Sequence, residues 1–136
     1  MQIEIFTIAD SAYVDAGHGM SILHTHDTLG GPTFPLSSPQ FCVPLKIHFR
    51  KSEEGQNSIR IVLIDDDGNV IAGPVDGVVT IEVKEGNETS SSALVLNFLA
   101  VKFKKPGTYW VRLYVNGREE ADVPLYVRQI DQPAAE

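Results

Sequence analysis

Strict alternation of apolar and polar side chains constrains this chain more than any other feature. In residues 41–49, Phe41, Val43, Leu45, Ile47 and Phe49 occupy every second position. A period of two belongs to a strand; an amphipathic helix would repeat at three and four. Lys46, His48 and Arg50 take intervening positions, so one side of this strand is expected to face water. The pattern returns in residues 103–128. Tyr109, Val111, Leu113 and Val115 alternate with Trp110, Arg112 and Tyr114, Asn116-Gly117 follows, and Val123, Leu125 and Val127 run back from it. Asn-Gly supplies the positive φ angles of a tight hairpin turn, so this stretch is expected to be a hairpin.

The remaining segments read the same way. Ile3 and Ile5 begin a strand that runs toward Val14, Asp15-Ala16-Gly17-His18-Gly19 turns, and residues 20–29 return. Residues 29–40 hold two glycines and three prolines and are expected to form a loop. Pro44 lacks a backbone donor, which puts its strand at an edge or at a bulge. In residues 59–64 both sides are apolar, the mark of a strand covered on both faces. Asp65-Asp66-Asp67-Gly68-Asn69 closes a hairpin into Val70-Ile71, residues 78–84 alternate again, and residues 93–101 are almost continuously apolar. No apolar stripe runs at helical spacing. The pattern predicts about eight or nine short strands. Antiparallel strands with one apolar face bury it against a second layer. The expected fold is therefore all-β, a single antiparallel β-sandwich. Residues 1–130 are expected to form one domain and residues 131–136 a flexible tail.

Lys105-Pro106-Gly107-Thr108-Tyr109 resembles the tyrosine corner of immunoglobulin-like sandwiches, where the Tyr hydroxyl ties down a connecting arch. An immunoglobulin domain would carry Cys two residues later, where this chain has Val111. The likeness is to the general layout, without the inter-sheet disulfide. Ile3-Glu4-Ile5-Phe6, Asp27-Thr28, residues 63–68, Leu94-Val95-Leu96-Asn97, Pro106-Gly107-Thr108-Tyr109 and Pro124-Leu125-Tyr126-Val127 carry a second resemblance. Together they resemble a family of small uncharacterised bacterial proteins, a domain of unknown function. That resemblance implies a compact bacterial β-sandwich and brings no catalytic residues.

Charge and composition exclude several functions. The formal net charge is −7, which repels phosphate backbones and anionic membrane surfaces. The one cysteine, Cys42, permits no internal disulfide, and no stretch approaches the roughly 20 apolar residues of a membrane helix. The first residues lack the basic and apolar regions of a secretory signal. A cytoplasmic protein is expected, and Asn87-Glu88-Thr89 is then an incidental glycosylation match.

Four patterns could carry chemistry. His24 and His26 are two apart and share a strand face, so they could begin a zinc or iron site, with His18, His48, Asp27 or Asp10 as further ligands. Two surface imidazoles are the commoner meaning of such a pair. Residues 65–69 look like half of a calcium loop, but no Glu follows Gly68 at the required distance, so a plain turn is expected. Cys42 has no nucleophile signature around it and reads as packing. Gly30-Gly31-Pro32 lacks the Lys and helix of a phosphate loop. The sequence thus points to no catalytic residue, cofactor or metal, and to a protein that is not an enzyme.

A partner surface is the remaining candidate. Trp110, Arg112 and Tyr114 lie opposite the expected core, and Pro124 and Tyr126 lie on the corresponding face of the returning strand. Aromatics with Arg are what protein interfaces enrich. Val62 and Ile64, and one side of residues 93–101, are expected to add wet apolar surface, unless residues 29–40 fold over this face. The expected function is a non-catalytic binding or assembly module acting through protein–protein contacts, with a homo-oligomer as the expected form. A metal-binding protein or metal-dependent hydrolase centred on His24 and His26 is one alternative. A phage- or toxin-associated structural component is another.

Overall fold

The computed structural model describes residues 1–17 and 19–131. Its strands are β1 (Gln2–Phe6), β2 (Ala9–Val14), β3 (Met20–Thr25), β4 (Thr28–Gly31), β5 (Leu36–Ser37), β6 (Phe41–Arg50), β7 (Gly55–Ile64), β8 (Val70–Ile81), β9 (Thr89–Phe98), β10 (Lys102–Phe103), β11 (Gly107–Val115) and β12 (Arg118–Gln129). One 3-10 turn, Lys51–Glu53, is the only helical element among the described residues. The fold is all-β, an immunoglobulin-like sandwich in its layout.

In the first sheet β6 lies between β9 on one side and β1 on the other, with β2 meeting it at Ala9 opposite Cys42 and β3 pairing β2 beyond. The second sheet runs β4-β12-β11-β7-β8, antiparallel except for β4, which lies parallel to β12. A short ladder of β5 with β10 links the layers at one end.

The alternation holds residue by residue. Phe41, Val43, Leu45, Ile47 and Phe49 from one sheet meet Ile59, Ile61, Leu63, Tyr109, Val111, Leu113, Val115, Leu125 and Val127 from the other in one buried cluster. Each such side chain contributes about 1.5–3 kcal/mol by leaving water. Because β6 and β11 are hydrogen-bonded along both edges, their backbone groups are satisfied inside the layers.

Several expectations need correction. The strands number more than nine, in part because residues 29–40, expected as loop throughout, hold strand at 29–31 and 36–37. Thr28–Gly31 pairs in parallel with Tyr126 to Gln129, and Leu36 with Ser37 pairs Phe103 with Lys102. At Gly31 the Leu36 side chain packs into the space that a β-carbon would take. Residues 3–14 break in two, since the chain leaves Leu45 after Phe6 and rejoins the sheet at Cys42 through Ala9. Pro44 lies within that gap, opposite Val95 on the β9 side. It therefore sits in an interior strand, at a place where one neighbouring ladder is interrupted. Val70-Ile71 and residues 78–81 belong to one strand, β8. Ile61 pairs Val75, Leu63 pairs Ala72 and Ile64 pairs Val70, so Gly73-Pro74 falls in a bulge of this edge strand. The expected tail falls, beyond Asp131, outside the described residues, as does His18.

Two side chains, Tyr109 and Asn116, pin the terminal hairpin. Tyr109 Oη donates to the Lys105 carbonyl at 2.6 Å, and its ring meets Phe103 edge-on at 4.8 Å, so the corner geometry anticipated at Tyr109 is present. At the far end, Asn116 holds φ at 52°. Its Oδ1 accepts from the Ser58 backbone N–H at 2.9 Å, and its Nδ2 donates to Asn57 Oδ1 at 2.8 Å. Buried Asn57 in turn donates to the Glu53 carbonyl at 2.9 Å. The Asn-Gly turn thus fastens the hairpin to β7 as well as closing it.

Removing one partner of a buried hydrogen bond costs about 1–3 kcal/mol. Tyr109→Phe is expected to lower unfolding free energy by about 1 kcal/mol in urea melts, the ring packing being kept. Asn116→Gly keeps the φ but loses both links, and a larger loss, about 2 kcal/mol, is expected. A neutral Asn116→Gly would show that the turn acts only through its backbone.

Candidate functional site

The outer face of the second sheet forms a groove of about 660 Å³. Ladder register puts Ile64, Val62 and Arg60 of β7 beside Trp110, Arg112 and Tyr114 of β11, all pointing away from the core. The bulge at Gly73-Pro74 bends β8, as an inserted residue bends any strand. Val70 from before it and Asp76, Gly77 and Val78 from after it line the groove.

The floor is drier than its composition suggests. Val62 and Ile64 are only 8% and 6% accessible, because the side chains around them close in; the expectation of wet surface at these two residues was wrong. The exposed apolar groups are instead on the wall, Val70 at 60% and Val78 at 64%. Charged pairs rim the groove. Arg60 Nε donates to Asp76 Oδ1 at 2.7 Å, and its hydrogen bond holds the Asp76 carboxyl below the usual range. Arg112 Nη2 is 3.5 Å from Asp122 Oδ2. Arg112 Nε lies 3.1 Å from Glu119 Oε1 but out of line with it, so that buried N–H has no aligned acceptor.

All four residues singled out in the sequence share this face, half-buried: Trp110, Arg112, Tyr114 and Tyr126. Arg112 and Tyr114 line the groove itself; Trp110 pairs with Ile64 at its margin, and Tyr126 stands further off, under the guanidinium of Arg128 at 5.9 Å. Residues 29–40 do not line it. Alternation alone did not disclose Val70, Asp76 and Val78; the Gly73-Pro74 pair, a breaker of regular strands, is the signal that could have pointed to the bulge.

The other constellations resolve differently. Asp10 sits between the two histidines, with Oδ2 2.8 Å from His24 Nδ1 and Oδ1 3.1 Å from His26 Nε2. His24 carries a left-handed φ of 56°, strained for a residue with a β-carbon. His26 Nδ1 is buried without a partner. Nε2 ligation of a cation would leave a proton on that nitrogen with no acceptor, a cost of about 1–3 kcal/mol. Among the described residues no three His, Cys, Asp or Glu side chains stand in ligating geometry. Asp27 hydrogen-bonds Thr28, and His48 faces Glu4 at 2.6 Å. In residues 65–69, Asp65 Oδ1 accepts from the Asp67 and Asn69 backbones at 3.0 and 2.8 Å, so its oxygens serve the turn. Cys42 is buried with its thiol on the Ala9 carbonyl at 3.4 Å, and burial raises its pKa.

A protonated, covered thiol is a poor nucleophile. Native protein is expected to react with a thiol-specific disulfide reagent at least tenfold more slowly than the urea-unfolded chain. Equal rates would place Cys42 in solvent.

The sequence matches no curated protein. Among solved structures, the chain is similar to the Pseudomonas fluorescens alkylpurine DNA glycosylase AlkC bound to DNA containing an abasic site analog, with a TM-score of 0.53 and 8% identity. The likeness covers 93% of this chain and 30% of that one, so the chain spans about a third of the glycosylase's length. At that identity the likeness is one of fold. The model of a family of unknown function, DUF6941, matches residues 4–128, nearly the whole sandwich, and the chain belongs to that family.

Proposed function

We propose that the protein is a non-catalytic binding or assembly module, and that the outer face of β7, β8 and β11 is its protein-contact surface. The carrying observation is the groove, with a dry floor of Val62 and Ile64, exposed Val70 and Val78 on its wall, and Arg60 and Arg112 at its rim. Exposed apolar groups inside a polar rim, flanked by Trp and Tyr, are what protein interfaces bury. The chain's net charge of −7 speaks against a nucleic-acid partner. A lone, buried, reduced cysteine and the lack of any helix long enough to cross a membrane among the described residues fit a cytoplasmic setting.

The test is differential. Trp110→Ala combined with Tyr114→Ala is expected to release proteins that co-purify with the wild type, while circular dichroism stays that of a β-protein. Tyr13→Ala with Leu23→Ala, on exposed positions of the first sheet, is expected to release none. Equal retention by both variants would remove the proposal.

A further inference from the structure

We infer that the cavity beside the tyrosine corner binds a small organic phosphate, a phosphate monoester with an apolar body. The inference stands apart from the protein-contact role proposed above.

The sequence gathers cations at this corner. Residues 99–109 hold Lys102, Lys104 and Lys105 and no acid, in a chain of net charge −7. Local structure fixes where they point. Phe103 is fully buried and pairs Leu36 in the ladder of β10 with β5, so Lys102 and Lys104 on either side of it turn outward. Tyr109 Oη holds the Lys105 carbonyl at 2.6 Å. All three lysines line one cavity of about 470 Å³.

Pairing sets these cations apart from those of the sheet faces. Lys46 and His48 lie 3.3 and 2.6 Å from Glu4, Arg60 lies 2.7 Å from Asp76, and Arg112 stands between Glu119 and Asp122. Among the described residues, no carboxylate comes within 4.0 Å of the Lys102, Lys104 or Lys105 ammonium. Asp65 is the one carboxylate in the cavity wall. Its oxygens already accept from the Asp67 and Asn69 backbones and from Asn69 Nδ2. Asp66 and Asp67 line a neighbouring cavity instead. Three ammoniums against one carboxylate leave this wall an excess of two positive charges.

Charge and size select the ligand. A phosphate monoester carries about two negative charges at neutral pH, its second pKa being about 6, and offers three acceptor oxygens. Lysine binds phosphate as a point charge. Small-molecule sites span about 300–1,000 Å³, and a cavity in that range has room beyond the phosphate itself. Val70, Ile71 and Tyr109 supply the apolar part of its wall. Val70 is 60% exposed, and an organic body would cover it. The net negative charge of the chain opposes a polyanion spread over a broad face. A small anion responds to charges within a Debye length, about 8 Å in physiological salt.

Isothermal titration calorimetry with phenyl phosphate, at about pH 7.5 where the ester is a dianion, tests this. The expected dissociation constant is about 1 mM or lower. Inorganic phosphate lacks the apolar body and benzoate lacks the second charge, and each is expected to bind at least about threefold more weakly. Lys102→Gln with Lys104→Gln, at exposed positions, is expected to weaken phenyl phosphate at least about tenfold with the circular dichroism spectrum unchanged. Lys84→Gln with Arg118→Gln, exposed and outside the cavity wall, removes the same charge and is expected to leave binding unchanged. No binding at about 10 mM phenyl phosphate, equal weakening by both double variants, or inorganic phosphate as tight as the ester would each overturn the inference. None of these outcomes bears on the release of proteins by Trp110→Ala with Tyr114→Ala.

Discussion

The structure depends on the burial of one face of β6 against one face of β11. These strands stand near the middle of their sheets and are paired along both edges, so nothing polar in their backbones opposes burial. Val43, Leu45, Ile47 and Phe49 on one side and Val111 and Leu113 on the other have no measurable contact with solvent. Shifting either strand by one residue would exchange Arg112 or Lys46 for these groups in the interior. Register is therefore specified by burial, and the outward positions follow from the inward ones. Trp110, Arg112 and Tyr114 face out because Tyr109, Val111 and Leu113 must face in.

That dependence explains which parts of the fold the sequence discloses. Alternation in residues 41–49 and 109–127 identifies the strands, the hairpin and the class of fold, since a period of two has one structural meaning. Tyr109 discloses its corner because the Pro-Gly-Thr-Tyr run is local. Segments whose structure is non-local stay hidden. Gly30 and Gly31 look like loop because glycine has no β preference; their strand character comes from the backbone of β12 beside them. The Asn116 side chain reaches β7 across 58 positions of sequence, which no local pattern records.

The candidate site shows the same division. The outward parity of Trp110, Arg112, Tyr114 and Tyr126 is visible in the sequence. The groove beside them is not, because it arises from the bend of β8 at Gly73-Pro74 and from the side chains that close over Val62 and Ile64. The histidine pair illustrates the converse. His24 and His26 do share a neighbour, Asp10, but spacing could not disclose that His26 Nδ1 would be buried without a partner. A mixed-sign rim around an apolar floor marks the second sheet's outer face.

Trp110 is the one tryptophan of the chain and stands half-buried at the margin of this groove. Acrylamide quenching of its fluorescence, in the native protein and in the urea-unfolded chain, tests directly whether the register of β11 turns this side chain outward. The expected native constant is lower than that of the unfolded chain and well above that of a fully buried indole. A native constant near zero would contradict the register, because Trp110 would then face inward.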